Sequence, residues 1–145
     1  MFQRAGVPCR ISENVAGELW TKLIWNCALN AVSALGRVKY GQIAACSDAR
    51  QVVRSLVEEI WAVATAAGIH FPDLQDVDAA FAGACKIATQ IPDALSSTAQ
   101  DILRDKRTEI DSLNGYISRR GAELGVPTPV NHALYTMIKL LEGRD

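Results

Sequence analysis

Residues 19–30 read Leu19-Trp20-Thr21-Lys22-Leu23-Ile24-Trp25-Asn26-Cys27-Ala28-Leu29-Asn30, an almost wholly apolar run broken every fourth residue by Lys22, Asn26 and Asn30. At about 100° per residue, a step of four precesses by only ~40°, so these three side chains form one polar stripe along a helix. Trp and Leu occupy the other faces, and the helix is expected to be buried nearly all round. A lysine and two amides in such a place need partners. An unsatisfied buried amide costs roughly 1–3 kcal/mol and an unpaired ammonium more. The stripe therefore reads as one wall of a polar site. Two plainer readings stay open beside it: the Lys22 stem can lie along Trp25 or Leu19 with its ammonium in water, and the two amides can bridge helices inside a core.

Helical periodicity continues on both sides, with no sustained alternation of period two that would indicate a strand. Met1 to Ile11 reads as an extended lead-in. The first helix is expected from Ser12 or Glu13 to Leu35, with Ser12 as N-cap and Gly36 just past its end. A loop or short turn, 36–46, follows. Ser47 or Asp48 then opens a long helix with the core stripe Val52, Val53, Leu56, Ile60, Val63, Ala64 and Ala67, while Arg50, Arg54, Glu58 and Glu59 read as its solvated face. Gly68 is a natural stop. Leu74, Val77, Phe81, Ala84, Ile87 and Ala88 mark a third helix ending near Pro92. A short one runs from Ser96 or Ser97 to Leu103. Thr108 is expected to cap a helix packing through Ile110, Leu113, Ile117 and Leu124 and stopping at Gly125. The last, about 130–141, carries Leu134, Met137, Ile138 and Leu141. The reading is an all-α, multi-helix single domain over residues 1–145.

The bulk numbers narrow the function. The chain has 145 residues, 49% of them hydrophobic and 21% charged, with net charge −1. One domain with a real core fits that length. No basic excess points to nucleic acid. The longest weakly polar run, Leu23 to Gly36, is interrupted by Asn26, Asn30 and Ser33 and is too short for a bilayer. Cys9, Cys27, Cys46 and Cys85 are scattered and read as reduced, mostly core residues in a cytoplasmic setting. His70 and His132 lie far apart, so no metal site is expected.

Two further polar features stand out. Ser96-Ser97-Thr98 opens a helix whose first N–H groups lack intrahelical partners, an end that favours an anion such as a carboxylate; the plainer reading is a serine N-cap. Glu109 sits just after Thr108, where an acidic residue also simply complements a helix dipole. Together the set suits a 2-keto or 2-hydroxy acid. A lysine can deliver a proton to a developing alkoxide, and amides offer paired contacts to hydroxyl and carboxylate oxygens. No G-x-G-x-x-G after a strand, P-loop or Ser-His-Asp set accompanies them.

These residues resemble a known family. Residues 19–30 are similar to the "LW-x-KL-x-x-N-x-x-x-N" helix of the ketopantoate reductases (2-dehydropantoate 2-reductases). Ser96-Ser97-Thr98-Ala99-Gln100-Asp101 resembles their "SSM-x-QD" segment, and Thr108-Glu109-Ile110-Asp111-Ser112-Leu113-Asn114-Gly115 their "TEID-x-x-NG" segment. Gly125-Val126-Pro127-Thr128-Pro129-Val130-Asn131 resembles "G-[IV]-x-x-P-x-N", and Ala5-Gly6-Val7-Pro8 the lead-in from a preceding domain.

The resemblance implies the C-terminal helical domain of the type seen in 6-phosphogluconate dehydrogenase-like proteins. It also implies an N-terminal Rossmann domain that binds NADP and is not among these residues. Hydride transfer from NADPH to 2-dehydropantoate, a step of pantothenate biosynthesis, is the implied activity, and the chain by itself is expected to be inactive. Carried over by motif, Lys22 is the proton donor, Asn26, Asn30 and Ser97 hold the substrate, and Glu109 meets the cofactor. One departure stands at Tyr40, where some members place a third substrate asparagine; a tyrosine there reshapes the pocket. The competing expectation is a non-catalytic helical interaction or dimerisation module derived from the same family.

Overall fold

A computed structural model describes residues 13–143. Seven α-helices and one 3₁₀ turn make up the described residues, which contain no strand. The expected all-α architecture is what forms. The extended lead-in, the Ser12 cap and Cys9 lie outside the described residues.

Helix α1 (Val15–Gly36) is the element the others surround. Asn14 caps it: the Asn14 side-chain oxygen accepts from the Gly17 N–H at 3.0 Å, and its amide nitrogen donates to the His70 carbonyl at 2.8 Å. Gly17 has to be glycine, because a Cβ there would run into the His70 carbonyl and the Pro72 ring. At the other end the helix continues through Gly36, and Arg37 takes the left-handed position (φ 52°) in which the Val38 N–H reaches the Ser33 carbonyl.

Ile24, Cys27, Ala28 and Leu29 join one core cluster with Val53, Val57, Ile60, Ala80 and Ala84. One turn on, Ala31 and Ala34 join a second with Leu56, Ala99, Ile110, Leu134 and Ile138. The small side chains of α1 let α3 (Ser47–Ala66), α4 (Val77–Gln90), α5 (Ser97–Leu103) and α7 (Pro129–Glu142) all approach one helix.

The expected loop over 36–46 contains a short helix, α2 (Tyr40–Ala45). The segment expected as one helix from Thr108 is two pieces, a 3₁₀ turn at Ile110–Ser112 and α6 (Asn114–Leu124), separated at Leu113. The Thr108 hydroxyl accepts from the Ile110 N–H at 3.2 Å and so caps the 3₁₀ turn rather than α6. The N–H and hydroxyl of Thr108 both donate to Glu142 near the end of α7, at 2.7 and 2.6 Å. Burial opposes charge on the Glu142 carboxyl, yet these hydrogen bonds and Lys139 hold it below the ordinary carboxylate range. In α3 the buried stripe includes Val57 in place of Val52, which is exposed. In α7, Met137 and Leu141 are likewise exposed, and only Leu134 and Ile138 carry that helix's stripe inward.

Glu59 is the clearest correction to the sequence reading. Helix α7 starts with Pro129, which has no N–H, and Thr128 provides no side-chain cap. The next two N–H groups, of Val130 and Asn131, donate to the Glu59 carboxylate at 2.9 Å each, and the Asn131 side-chain amide adds a third bond at 2.8 Å. A glutamate from α3 thus caps α7 across the domain, and its charge also complements the positive end of the helix dipole. Glu59→Ala leaves three partly buried donors without an acceptor and is expected to cost about 3 kcal/mol, with Glu59→Gln losing less. Urea unfolding curves of the two variants check this; equal midpoints for Glu59→Ala and the wild type would contradict it.

Candidate active site

The polar stripe of α1 is real as a face but not as a uniformly buried one. Lys22 is exposed, Asn26 half-buried, and Asn30 buried at 5% exposure. Leu19, expected inside, is 62% exposed, as is Val15 at 58%. The three polar residues rise about 6 Å per step along one unbroken helix, from solvent to core. Lys22 therefore needs no buried partner, which answers the question raised by its place in an apolar run.

At the buried end the site is closed by hydrogen bonds from three directions. The Ser96 hydroxyl donates to the Asn30 carbonyl at 2.9 Å and accepts from the Ala99 N–H at 3.0 Å. It is at once the N-cap of α5 and the tie holding α5 to α1. The Ser33 hydroxyl donates to the Val38 carbonyl at 2.7 Å and accepts from the Ser96 N–H at 3.2 Å. With Ser96 capping, the Ser97 hydroxyl is not needed for that role. Ser97 is exposed and lies at the end of the stripe, where the Asn30 side-chain nitrogen donates to its oxygen at a long 3.5 Å.

Tyr40 supplies the third direction. Its hydroxyl donates to the Asn30 side-chain oxygen at 3.1 Å. Burial pushes the phenol up from its ordinary range, which keeps it protonated as a donor. The ring is positioned by the backbone around it. The Tyr40 N–H donates to the Ala94 carbonyl at 3.0 Å and the Gly41 N–H to the Pro92 carbonyl at 2.9 Å. A Cβ on Gly41 would sit 2.8 Å from that of Pro92, so only glycine permits this docking.

Asn30 and Ser97 are thus brought together, and Lys22 and Asn26 continue their face. Glu109 is not joined to them. Its side chain is exposed beside the 3₁₀ turn, and among the described residues no hydrogen bond or ion pair links it to Lys22. Because α6 begins only at Asn114, Glu109 does not sit in the first turn of that helix either. Ser33 escaped the sequence reading, whereas Ser96 has the N-cap role that was its plainer reading there. The one available signal for Tyr40 was its position at the expected asparagine.

No group of three or more His, Cys, Asp or Glu among the described residues could hold a metal ion, and no described helix is long and apolar enough to cross a membrane. Cys27, Cys46 and Cys85 are free; Cys27 is buried, Cys85 partly so and Cys46 exposed.

The family model for "Ketopantoate reductase PanE/ApbA C terminal" matches residues 14–142. The chain belongs to the ketopantoate reductase family. It is 35% identical to the 2-dehydropantoate 2-reductase of Pyrobaculum aerophilum over 99% of this chain and 50% of that protein. Against the enzyme of that name from Vibrio cholerae it is 32% identical over 98% of this chain and 46% of that one. The chain spans about half the length of the curated relatives it matches.

Among solved structures, a PanE/ApbA family ketopantoate reductase from Ralstonia eutropha JMP134 superposes with a TM-score of 0.88 at 47% identity, over 98% of this chain and 46% of that one. A D-mandelate dehydrogenase in ternary complex with NADH and anilino(oxo)acetate gives 0.88 at 26% identity, over 97% of this chain and 57% of that one. The motif asparagines of this ketopantoate reductase domain divide by role. Asn30 turns its side-chain nitrogen toward exposed Ser97, whereas Asn114 and Asn131 are fully buried ties between helices.

The two serines should separate in the same way. Ser96→Ala loses a cap and a bond to Asn30 and is expected to destabilise the domain by about 1–2 kcal/mol. Ser97→Ala, at an exposed position, should change stability by less than about 0.5 kcal/mol. Thermal or urea unfolding measures both, and a reversed order would refute the assignment of the cap.

Proposed function

We propose that this domain provides the proton donor and the substrate contacts of an NADPH-dependent 2-keto acid reductase of the 2-dehydropantoate 2-reductase type. The observation that carries the reading is the graded face of α1, with exposed Lys22, half-buried Asn26 and buried Asn30 ending against Ser97, in a domain of this family. A 2-keto acid lying along that face puts its carbonyl oxygen toward the open end and its carboxylate toward the closed one. Lys22 then donates a proton to the carbonyl oxygen as that oxygen gains charge. Asn26 and Asn30 orient the acid, and Ser97 hydrogen-bonds to a carboxylate oxygen.

When bound, the nicotinamide supplies hydride to the carbonyl carbon. The described residues form helices only and offer no strand-turn-helix for a dinucleotide. The fit on this side is limited to exposed Glu109, which would meet the cofactor from across a cleft. The exposed apolar residues Val15 and Leu19, on the same half of α1 as Lys22, suit cover by a preceding Rossmann domain. Likeness to a D-mandelate dehydrogenase supports 2-keto and 2-hydroxy acids as the substrate class.

In the two-domain reductase containing this chain, Lys22→Ala is expected to lower kcat by about 10²–10⁴-fold with a much smaller change in KM, as for a group that acts in the transition state. The 145-residue chain alone should oxidise no NADPH with 2-dehydropantoate. Steady-state assays check both points. An unchanged kcat removes Lys22 from the mechanism, and turnover by the chain alone refutes the division of labour.

A second reading, a helical self-association module, is favoured by one surface feature. A groove of about 340 Å³ lined by Ala34, Leu95, Ala99, Ile102, Leu103 and Leu141 leaves Leu103 and Leu141 69% and 49% exposed. A related ketopantoate reductase from Staphylococcus aureus is dimeric. Sedimentation velocity should then show a dimer that Leu103→Lys dissociates; a monomer at all concentrations excludes this reading.

A further inference from the structure

The Asn30 side chain can point its oxygen or its nitrogen out of the core, and the difference decides what the closed end of the site can bind. An amide nitrogen offers only protons, and an amide oxygen offers only lone pairs. The group behind Asn30 is the Tyr40 hydroxyl, 3.1 Å from the Asn30 oxygen in a buried contact. This is the hydrogen bond that satisfies the phenol. With the amide reversed, the nitrogen would face the phenol oxygen and the phenol proton would be left buried without an acceptor. The orientation is therefore dictated from behind.

In front, the Asn30 nitrogen directs one proton at the Ser97 oxygen, 3.5 Å away. Because the serine oxygen accepts this bond, its own proton is free to point outward. The second Asn30 proton and the Ser97 hydroxyl then form a pair of adjacent donors at the exposed rim of α5.

We propose that Tyr40 is a positioning and specificity-determining residue: its hydroxyl locks the Asn30 amide with the nitrogen outward, so that Asn30 and Ser97 each turn a donor toward the same place and favour an acceptor group there, the carboxylate of a 2-keto acid. Tyr40 reaches no substrate itself. It acts through Asn30, and its placement is held by the Tyr40 and Gly41 N–H bonds to the 92–94 segment, which leads directly into Ser96 and Ser97. The same short stretch thus sets both donors.

The inference rests on the reductase reading, and two measurements keep the two apart. Nuclear Overhauser contacts of the Asn30 side-chain NH₂ in the ligand-free chain report the amide orientation with no substrate involved. The protons should lie near the Ser97 β-protons in the wild type, and that pattern should be lost or mixed in Tyr40→Phe. Asn30 NH₂ contacts that are the same in both proteins overturn the lock, whatever the enzyme does.

In the two-domain reductase, Tyr40→Phe should raise KM for 2-dehydropantoate about tenfold with kcat nearly unchanged. Asn30→Asp keeps an oxygen for Tyr40 to donate to and replaces the outward donor by an acceptor. It should therefore fold normally and raise KM by about 10²-fold or more. A loss of kcat at unchanged KM in both variants overturns the carboxylate assignment. Absence of turnover in the wild type counts against the reductase reading alone, and the NH₂ contacts then decide the role of Tyr40.

Discussion

The arrangement of this domain depends on a chain of buried amides. Asn114, at the start of α6, donates to the Cys27 carbonyl of α1 at 3.1 Å and to the Asn131 side-chain oxygen at 3.0 Å. Asn131 passes the connection to Glu59 on α3, which also takes the two free N–H groups of α7. Four helices are joined through three side chains, two of them fully buried. Apolar burial drives these helices together without fixing their register, since it is non-directional. The amides supply the direction, because each misplaced partner would be left unsatisfied in a low-dielectric interior. This also accounts for the break at Leu113, since α6 begins where Asn114 meets its partners rather than where Thr108 could have capped a longer helix.

A second set of ties, through Ser33, Ser96 and Tyr40, fixes α5 and α2 to the later half of α1. The amide chain holds the middle of α1 at Cys27 and these ties hold it at Asn30 and Ser33. The half from Val15 to Lys22 is tied through Asn14 to His70 and keeps an apolar, solvated face at Val15 and Leu19. Burial of the polar stripe rises along α1 from Lys22 through Asn26 to Asn30.

What the sequence made legible follows the same division between periodic and directional interactions. Helix type and most helix limits were readable because apolar periodicity and Gly or Pro stops are local. The Ser97–Leu103 and Pro129–Glu142 helices lie within a residue of expectation. The α1 stripe was readable as a face for the same reason. Its burial was not, since exposure of Lys22 and Leu19 depends on which helices pack where. Glu59 looked like one more charge on a solvated face, and only the arrival of α7 from seventy residues away gives it a partner. Ser33 was hidden for the same reason, and Tyr40, marked in the sequence as a departure from the family pattern, showed nothing there of its bond to Asn30. The role of Glu109 is the part that neither periodicity nor this domain's own contacts decide.

The family motifs carry two different kinds of constraint that look alike as strings. In the 19–30 motif, exposed Lys22 and half-buried Asn26 are left to solvent or to the ligand of the proposed reaction. In the 108–115 and 125–131 motifs, Thr108, Asn131 and the side-chain nitrogen of Asn114 bond to partners within the domain, and the Asn114 side-chain oxygen is buried without one. Asn30 belongs to both kinds at once. Its carbonyl and side-chain oxygen are committed inward to Ser96 and Tyr40, and its side-chain nitrogen is turned to exposed Ser97. A residue tied on one side and open on the other transmits the rigidity of the core to a ligand. An asparagine does this better than a lysine, because its short side chain has only two rotatable bonds to restrain. The proposed roles follow the same gradient, with recognition assigned to the buried, tied amide of Asn30 and proton transfer to exposed Lys22.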